Sequence, residues 1–187
     1  KTEEMIVDFR RKKTPITPLT VNKEVVEQVE SFKFLGTTIT SSLSWETNTL
    51  GIVKKAHQRL YFLRQLRKFG VCADILTQFY RAVIESVPTF SMTVWYSSAT
   101  QKEKTDLQKI VKTAARLIGC DLPSLDSLFS ARVVKKSQNI LRDPTHPSFC
   151  LFQPLPSGRR FRAIKTRTCR FGQSFFPQAV KTIPARP

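Results

Sequence analysis

The chain has 187 residues, 41% of them hydrophobic, enough to build the core of one domain with a tail. Its 31 Lys and Arg stand against 14 Asp and Glu, a formal net charge of +17. That imbalance raises the energy of a compact state by self-repulsion and predicts a polyanionic partner, nucleic acid before an anionic membrane surface. The charged residues from Lys1 onward are not followed by an apolar run, so no signal peptide is expected in this stretch. The most apolar stretch, Val83 to Tyr96, is too short and too interrupted by Glu85 and Pro88 to span a membrane.

The first zone, residues 1–44, reads as β-rich. Met5, Val7 and Phe9 alternate at period two and predict a strand over Glu4 to Phe9. Pro15 and Pro18 interrupt the chain. Leu19 to Val21 and Val25-Val26 flank Asn22-Lys23-Glu24, which predicts a hairpin. The aromatic and β-branched run Ser31 to Ile39 predicts another strand, with Gly36 marking a bulge or a close backbone approach.

The second zone, residues 45–142, reads as a bundle of about four helices. Val53, Ala56, Leu60, Leu63 and Leu66 recur at three- and four-residue steps and form one apolar face, with Gly70 as its stop. A second helix begins near Ala73 with Leu76, Phe79, Tyr80, Val83 and Val87 inward, and Pro88 kinks or ends it. Thr100-Gln101-Lys102-Glu103 fits a capping box ahead of the stripe Leu107, Ile110, Val111, Ala114 and Leu117, which Gly119 ends. A fourth helix starts at Ser124 and buries Leu125, Leu128, Phe129, Val133 and Ile140. Residues 143–187 open on Asp143-Pro144-Thr145-His146-Pro147 and read as a Pro- and Arg-rich, largely irregular basic tail. The fold class is therefore α+β: a small antiparallel sheet, a helical bundle and the tail.

Catalytic constellations are not visible. His57 lies among Lys54, Lys55 and Arg59 and reads as a surface residue. His146 and Cys150 have the spacing of half a zinc site without the other half. Asp8 is a lone carboxylate that pairs with the basic run behind it, not one of two aspartates for a metal-dependent polymerase centre. No cofactor and no metal ligand set is expected. Cys72, Cys120, Cys150 and Cys169 are widely spaced and read as reduced thiols, which predicts an intracellular setting, nuclear or cytoplasmic.

The basic residues carry more information. Lys54, Lys55, Arg59, Arg64, Arg67 and Lys68 fall outside the apolar stripe, and no acidic residue occurs between Glu46 and Asp74. Cations on a rigid helix suit successive phosphates. From Leu151 onward there is no acidic residue. There Arg159, Arg160, Arg162, Lys165, Arg167 and Arg170 interleave with Phe161, Phe171, Phe175 and Phe176. Two readings stay open for that tail: rings that stack on unpaired bases, or rings that dock on the helical core.

Several blocks resemble the part of a LINE-type retrotransposon reverse transcriptase that follows its catalytic centre. They are Lys1 to Arg10, Phe32-Lys33-Phe34-Leu35-Gly36, Val53 to Arg64, Phe79 to Ser86, Thr93 to Tyr96, Asp143 to Pro147 and Leu155 to Arg160. The resemblance implies a fragment whose metal-binding aspartates precede Lys1 in an upstream palm. Phe34, Leu35 and Gly36 would be a primer-grip-like element, and the helices after them a thumb that holds RNA or an RNA–DNA hybrid. Pro88 departs from the helical residue which that resemblance implies. The first forty or so residues also resemble the N-terminal segment of AlkB homologue eight, a tRNA-modifying dioxygenase and methyltransferase. The iron ligands of that chemistry are not carried over, since no histidine precedes His57. The expectation is a nucleic-acid-binding chain without catalysis of its own. The alternatives are an orphan or domesticated module related to that AlkB segment, or a non-functional pseudogene product.

Overall fold

The structure, a computed structural model, describes residues 2–12 and 14–184. Lys1, which opens the first resemblance block, and the last three residues of the basic tail lie outside them. The fold is α+β, and the chain divides into two compact units, Lys1–Gly51 and Ile52–Pro187.

The first unit is built from short ladders. β1 (Glu3–Glu4) pairs in parallel with β4 (Glu27–Gln28), while β2 (Thr20–Val21) pairs antiparallel with β3 (Glu24–Val25). Asn22 and Lys23, both at positive φ, make the two-residue turn of the hairpin that the Asn22-Lys23-Glu24 pattern predicts. The strand expected over Glu4 to Phe9 stops at Glu4. Instead the Glu4 carboxylate accepts from Leu19 N at 3.2 Å and Gln28 Nε2 at 2.6 Å, and its carbonyl accepts from Val29 N at 2.9 Å.

The run Ser31 to Ile39 is also not one strand. It folds back as a hairpin of β5 (Ser31–Phe34) and β6 (Thr37–Thr40), with Leu35 at φ 46° and Gly36 at φ 85° in the turn. Gly36 marks a chain reversal rather than a bulge, because two consecutive left-handed residues match the right-handed twist of a tight hairpin. Thr38 N donates to Asn48 Oδ1 at 3.1 Å, fixing β6 to the first turn of the helix α1 (Glu46–Lys68), whose residues up to Gly51 belong to this first unit.

The second unit is helical. α1 (Glu46–Lys68) ends in a six-to-one Schellman closure: Val71 N donates to Leu66 O and Gly70 N to Arg67 O, with Gly70 at φ 75°. α2 (Ala73–Phe79) then passes into a π-helical turn, Tyr80–Glu85, before α3 (Ser86–Thr89). Pro88 explains the irregularity. In π register the Val83 carbonyl looks to the amide of residue 88, and proline has none. Arg59 Nη1 and Ser86 Oγ donate to that carbonyl instead.

α4 (Met92–Trp95) follows, and Trp95 Nε1 donates to Phe90 O at 3.0 Å. α5 (Gln101–Ile118) opens on the expected capping box and closes on Gly119 at φ 85°. α6 (Leu125–Arg142) starts behind Ser124, whose Oγ accepts from Ser127 N at 3.1 Å. Leu107, Ile110, Val111 and Ala114 of α5 and Leu125, Val133 and Ile140 of α6 are buried, as their spacing predicts, whereas Leu117, Leu128 and Phe129 are only half-buried.

The tail is irregular over much of its length, as expected, with two short helices in it. It holds α7 (Cys169–Gly172) and α8 (Phe175–Thr182), and α8 lies against α6. Phe152, Phe161, Ala179, Val180 and Ile183 form one buried cluster with Val133 and Ile140, and Phe175 and Phe176 pack on it. The apolar side of α6 needed a cover, and the interleaved phenylalanines supply it.

Candidate nucleic-acid interface

On α1 the buried stripe is Ala56, Leu60 and Leu63. Rotation by about 100° per residue then places Lys54, Tyr61 and Lys68 in one outward row, two turns apart. Lys55 and Phe62 form the neighbouring row, which Phe69 continues past the end of the helix. Lys54, Lys55, Arg64, Arg67 and Lys68 are all exposed, and His57 is exposed beside them as expected. Arg59 differs. It is half-buried and its guanidinium is engaged on the Val83 carbonyl, so part of its hydrogen-bonding capacity is used to hold the π turn.

The tail cations are placed by the alternation around Phe161. Arg160 and Arg162 are exposed on either side of that buried ring, where Arg160 O accepts from Leu155 N and Arg162 N donates to Gln153 O. Arg159, Lys165 and Arg167 are exposed as well. Phe161 is 7% exposed, and its ring meets Phe152 edge-on at 5.7 Å. Of the two readings of the tail rings, docking on the core describes Phe161, Phe175 and Phe176, and Phe171 is the exposed one.

The residues Phe34, Leu35 and Gly36 sit at the β5–β6 turn. Phe34 is exposed and Leu35 is 77% exposed. Asp8 pairs with its neighbour as the sequence predicts: Arg10 Nε and Nη2 each donate to the carboxylate at 2.9 Å, and Arg10 N does so at the same distance. His146 Nδ1 accepts from Ser148 N at 3.1 Å inside the Asp143 turn. There Thr145 holds the Asp143 carboxyl below the usual range through its hydroxyl and its amide. Among the described residues no group of three or more His, Cys, Asp or Glu is placed to hold a metal ion, and no helix is long and apolar enough to cross a membrane.

Perturbed ionisable groups gather beside the π turn. Burial pushes the Tyr80 hydroxyl well above its ordinary value, helped by the Glu85 carboxylate. Burial also raises Glu85, against the pull of Arg81 and Arg132. Arg132 Nη1 donates to the Thr89 carbonyl, so this cluster braces the end of the Pro88 helix.

The aromatic residues of α1 were not singled out by the sequence reading. Tyr61 is 55% and Phe62 56% exposed, and their rings meet edge-to-face at 5.6 Å. The signal that could have found them is position: both lie off the Ala56-Leu60-Leu63 stripe, Tyr61 seven residues from Lys54 and from Lys68, and Phe62 seven residues from Lys55.

A known family matches part of the chain. The family "Alkylated DNA repair protein alkB homolog 8, N-terminal" matches residues 45–86, less than a quarter of the chain. The sequence reading put that resemblance in the first forty or so residues. The match instead covers α1, α2 and the π turn, the segment that carries the cation rows and the Arg59 contact. No curated protein and no solved structure matches the chain.

Proposed function

We propose that the chain is a nucleic-acid-binding module without catalysis of its own, related in its α1–α2 segment to the N-terminal part of AlkB homologue 8. The observation that carries the proposal is the outer face of α1. Four cations, Lys54, Lys55, Arg64 and Lys68, are exposed off the buried stripe within fifteen residues that hold no acid, and Arg67 is exposed near the end of the helix. An ordinary solvated helix face mixes both signs, because interspersed opposite charges relieve repulsion. A face of one sign raises the local potential and attracts a polyanion. Exposed Arg159, Arg160, Arg162 and Arg167 add cations in the same unit. The matched family's description names an alkylated-DNA repair protein, which supports this reading.

A second reading, the thumb side of a LINE-type reverse transcriptase holding RNA or an RNA–DNA hybrid beside an upstream palm, rests on the sequence blocks. One feature favours it: the exposed Phe34-Leu35-Gly36 turn just precedes the cation-lined helix in the chain. Both readings place nucleic acid on α1.

The test is a salt titration of binding to a hybrid duplex. Lys54→Ala, Lys55→Ala, Arg64→Ala and Lys68→Ala together should weaken binding by about 1–3 kcal/mol at moderate salt. They should also flatten the plot of log K against log salt by about 0.9 for each phosphate that is no longer neutralised. Unchanged affinity and slope would remove the basis of the proposal.

A further inference from the structure

We infer that the outer face of α1 is a base-stacking platform for an unpaired RNA strand, an inference that rests on the nucleic-acid reading above and names the substrate form. Charge alone would serve a duplex, in which bases are stacked on one another and present only phosphate and groove edges. This face offers rings as well. Tyr61 and Phe62 are more than half exposed, and Phe69 at 79% is more exposed than either. Exposing three aromatic rings to water is unfavourable for a lone helix surface, and a contiguous exposed apolar patch marks an interaction site.

The arrangement alternates charge with ring. Lys54, Tyr61 and Lys68 fall in one row at seven-residue steps, and Lys55 precedes Phe62 in the next. Lys54 to Lys68 spans about 21 Å of helix axis, the length of roughly six stacked nucleotides at about 3.4 Å per phosphate. Flanking ammonium groups would hold the backbone at both ends while Tyr61 and Phe62 meet bases between them. Lysines on both sides of the rings suit a polyanion and oppose an apolar protein partner, whose desolvation of those cations would be uncompensated. RNA is the source of unpaired bases that stands ready, since its loops and bulges splay bases that duplex DNA keeps stacked.

The experiment uses the full chain, a hexamer of unstructured RNA, a DNA hexamer of the same base sequence, and an RNA–DNA duplex, each titrated by fluorescence anisotropy. Tyr61→Ala with Phe62→Ala should lower affinity for the RNA hexamer tenfold or more, leave duplex affinity within about threefold, and leave the salt slope unaltered, because no charge is removed. Tyr61→Leu with Phe62→Leu should lose nearly as much, since leucine keeps apolar area without a π face. Both pairs are exposed, so circular dichroism should report an intact fold. The inference is overturned if the leucine pair binds RNA like the parent. It fails equally if hexamer and duplex affinity fall together, or if the DNA hexamer binds more tightly than RNA. It also fails if the parent self-associates through these rings, so that the alanine pair turns dimer to monomer with RNA binding unchanged. A parent whose duplex binding is salt-dependent while the ring variants change nothing overturns this inference alone. A parent that binds neither nucleic acid overturns the nucleic-acid reading with it.

Discussion

Arg59 shows how one residue divides between two jobs that look alike in sequence. It sits among Lys54, Lys55 and Arg64, and composition groups it with them. Its angular position on α1 turns it toward the second helix, where it meets the Val83 carbonyl left over by Pro88. A half-buried carbonyl without a donor is costly, and a charged donor is among its stronger partners. Arg59→Ala should therefore destabilise the fold by about 1–2 kcal/mol, the lower part of the range for an unmet group because Ser86 Oγ still reaches Val83 O at 3.3 Å. Urea unfolding measures this, and a parallel titration should find the salt dependence of nucleic-acid binding unaltered. The opposite pattern, full stability with a shallower salt slope, would return Arg59 to the phosphate-binding group. Nothing in the sequence near position 59 announced this role. It depends on a missing amide 29 positions away.

At the scale of elements, local chemistry was readable wherever a device is self-contained. Thr100 and Glu103 close a capping box because both partners lie within four residues. Gly70 and Gly119 end their helices in the left-handed region for the same reason. The β segments were read less well. In Ser31 to Ile39 the residue type is strand-like throughout, and the reversal at Leu35-Gly36 depends on a leucine accepting φ 46°, which side-chain sterics disfavour. Two glycines with open space around them offer opposite tests. Gly51 lies inside α1 with nothing within 4 Å of an added Cβ, so Gly51→Ala should stabilise by about 0.5–1 kcal/mol through a less flexible unfolded chain. Gly70 has equal space but φ +75°, so Gly70→Ala should destabilise by about 1 kcal/mol on backbone strain alone. Thermal unfolding of the two variants should move in opposite directions, and equal shifts would mean that α1 does not end as described.

For the molecule as a whole, the tail was the hardest part to read and matters most for how binding is tested. An acid-free segment rich in Pro, Arg and Phe has the composition of a disordered arm, and nothing local says that α6 lacks a cover. The structure supplies the missing long-range term: Phe152 and Phe161 close over Val133 and Ile140, and α8 adds Ala179, Val180 and Ile183. Phe161→Ala should then cost about 3–5 kcal/mol, as for other buried aromatics truncated to alanine. Deleting residues 159–184 would strip the core and abolish binding for reasons unrelated to charge. The informative change keeps the rings and removes the cations between them. Arg159→Ser, Arg160→Ser, Arg162→Ser and Arg167→Ser fall on exposed positions, so the melting temperature should stay within a few degrees of the parent, as for surface substitutions of about 0.5 kcal/mol or less. If the tail neutralises phosphates beyond those met by α1, duplex and single-strand affinity should fall together. The salt slope should drop by about 0.7–0.9 for each phosphate left without its arginine. Calorimetry with salt titrations of both ligands checks this. A four-serine variant that melts like the parent and binds with the parent's slope would confine the interface to α1 and leave the tail as a cover for α6.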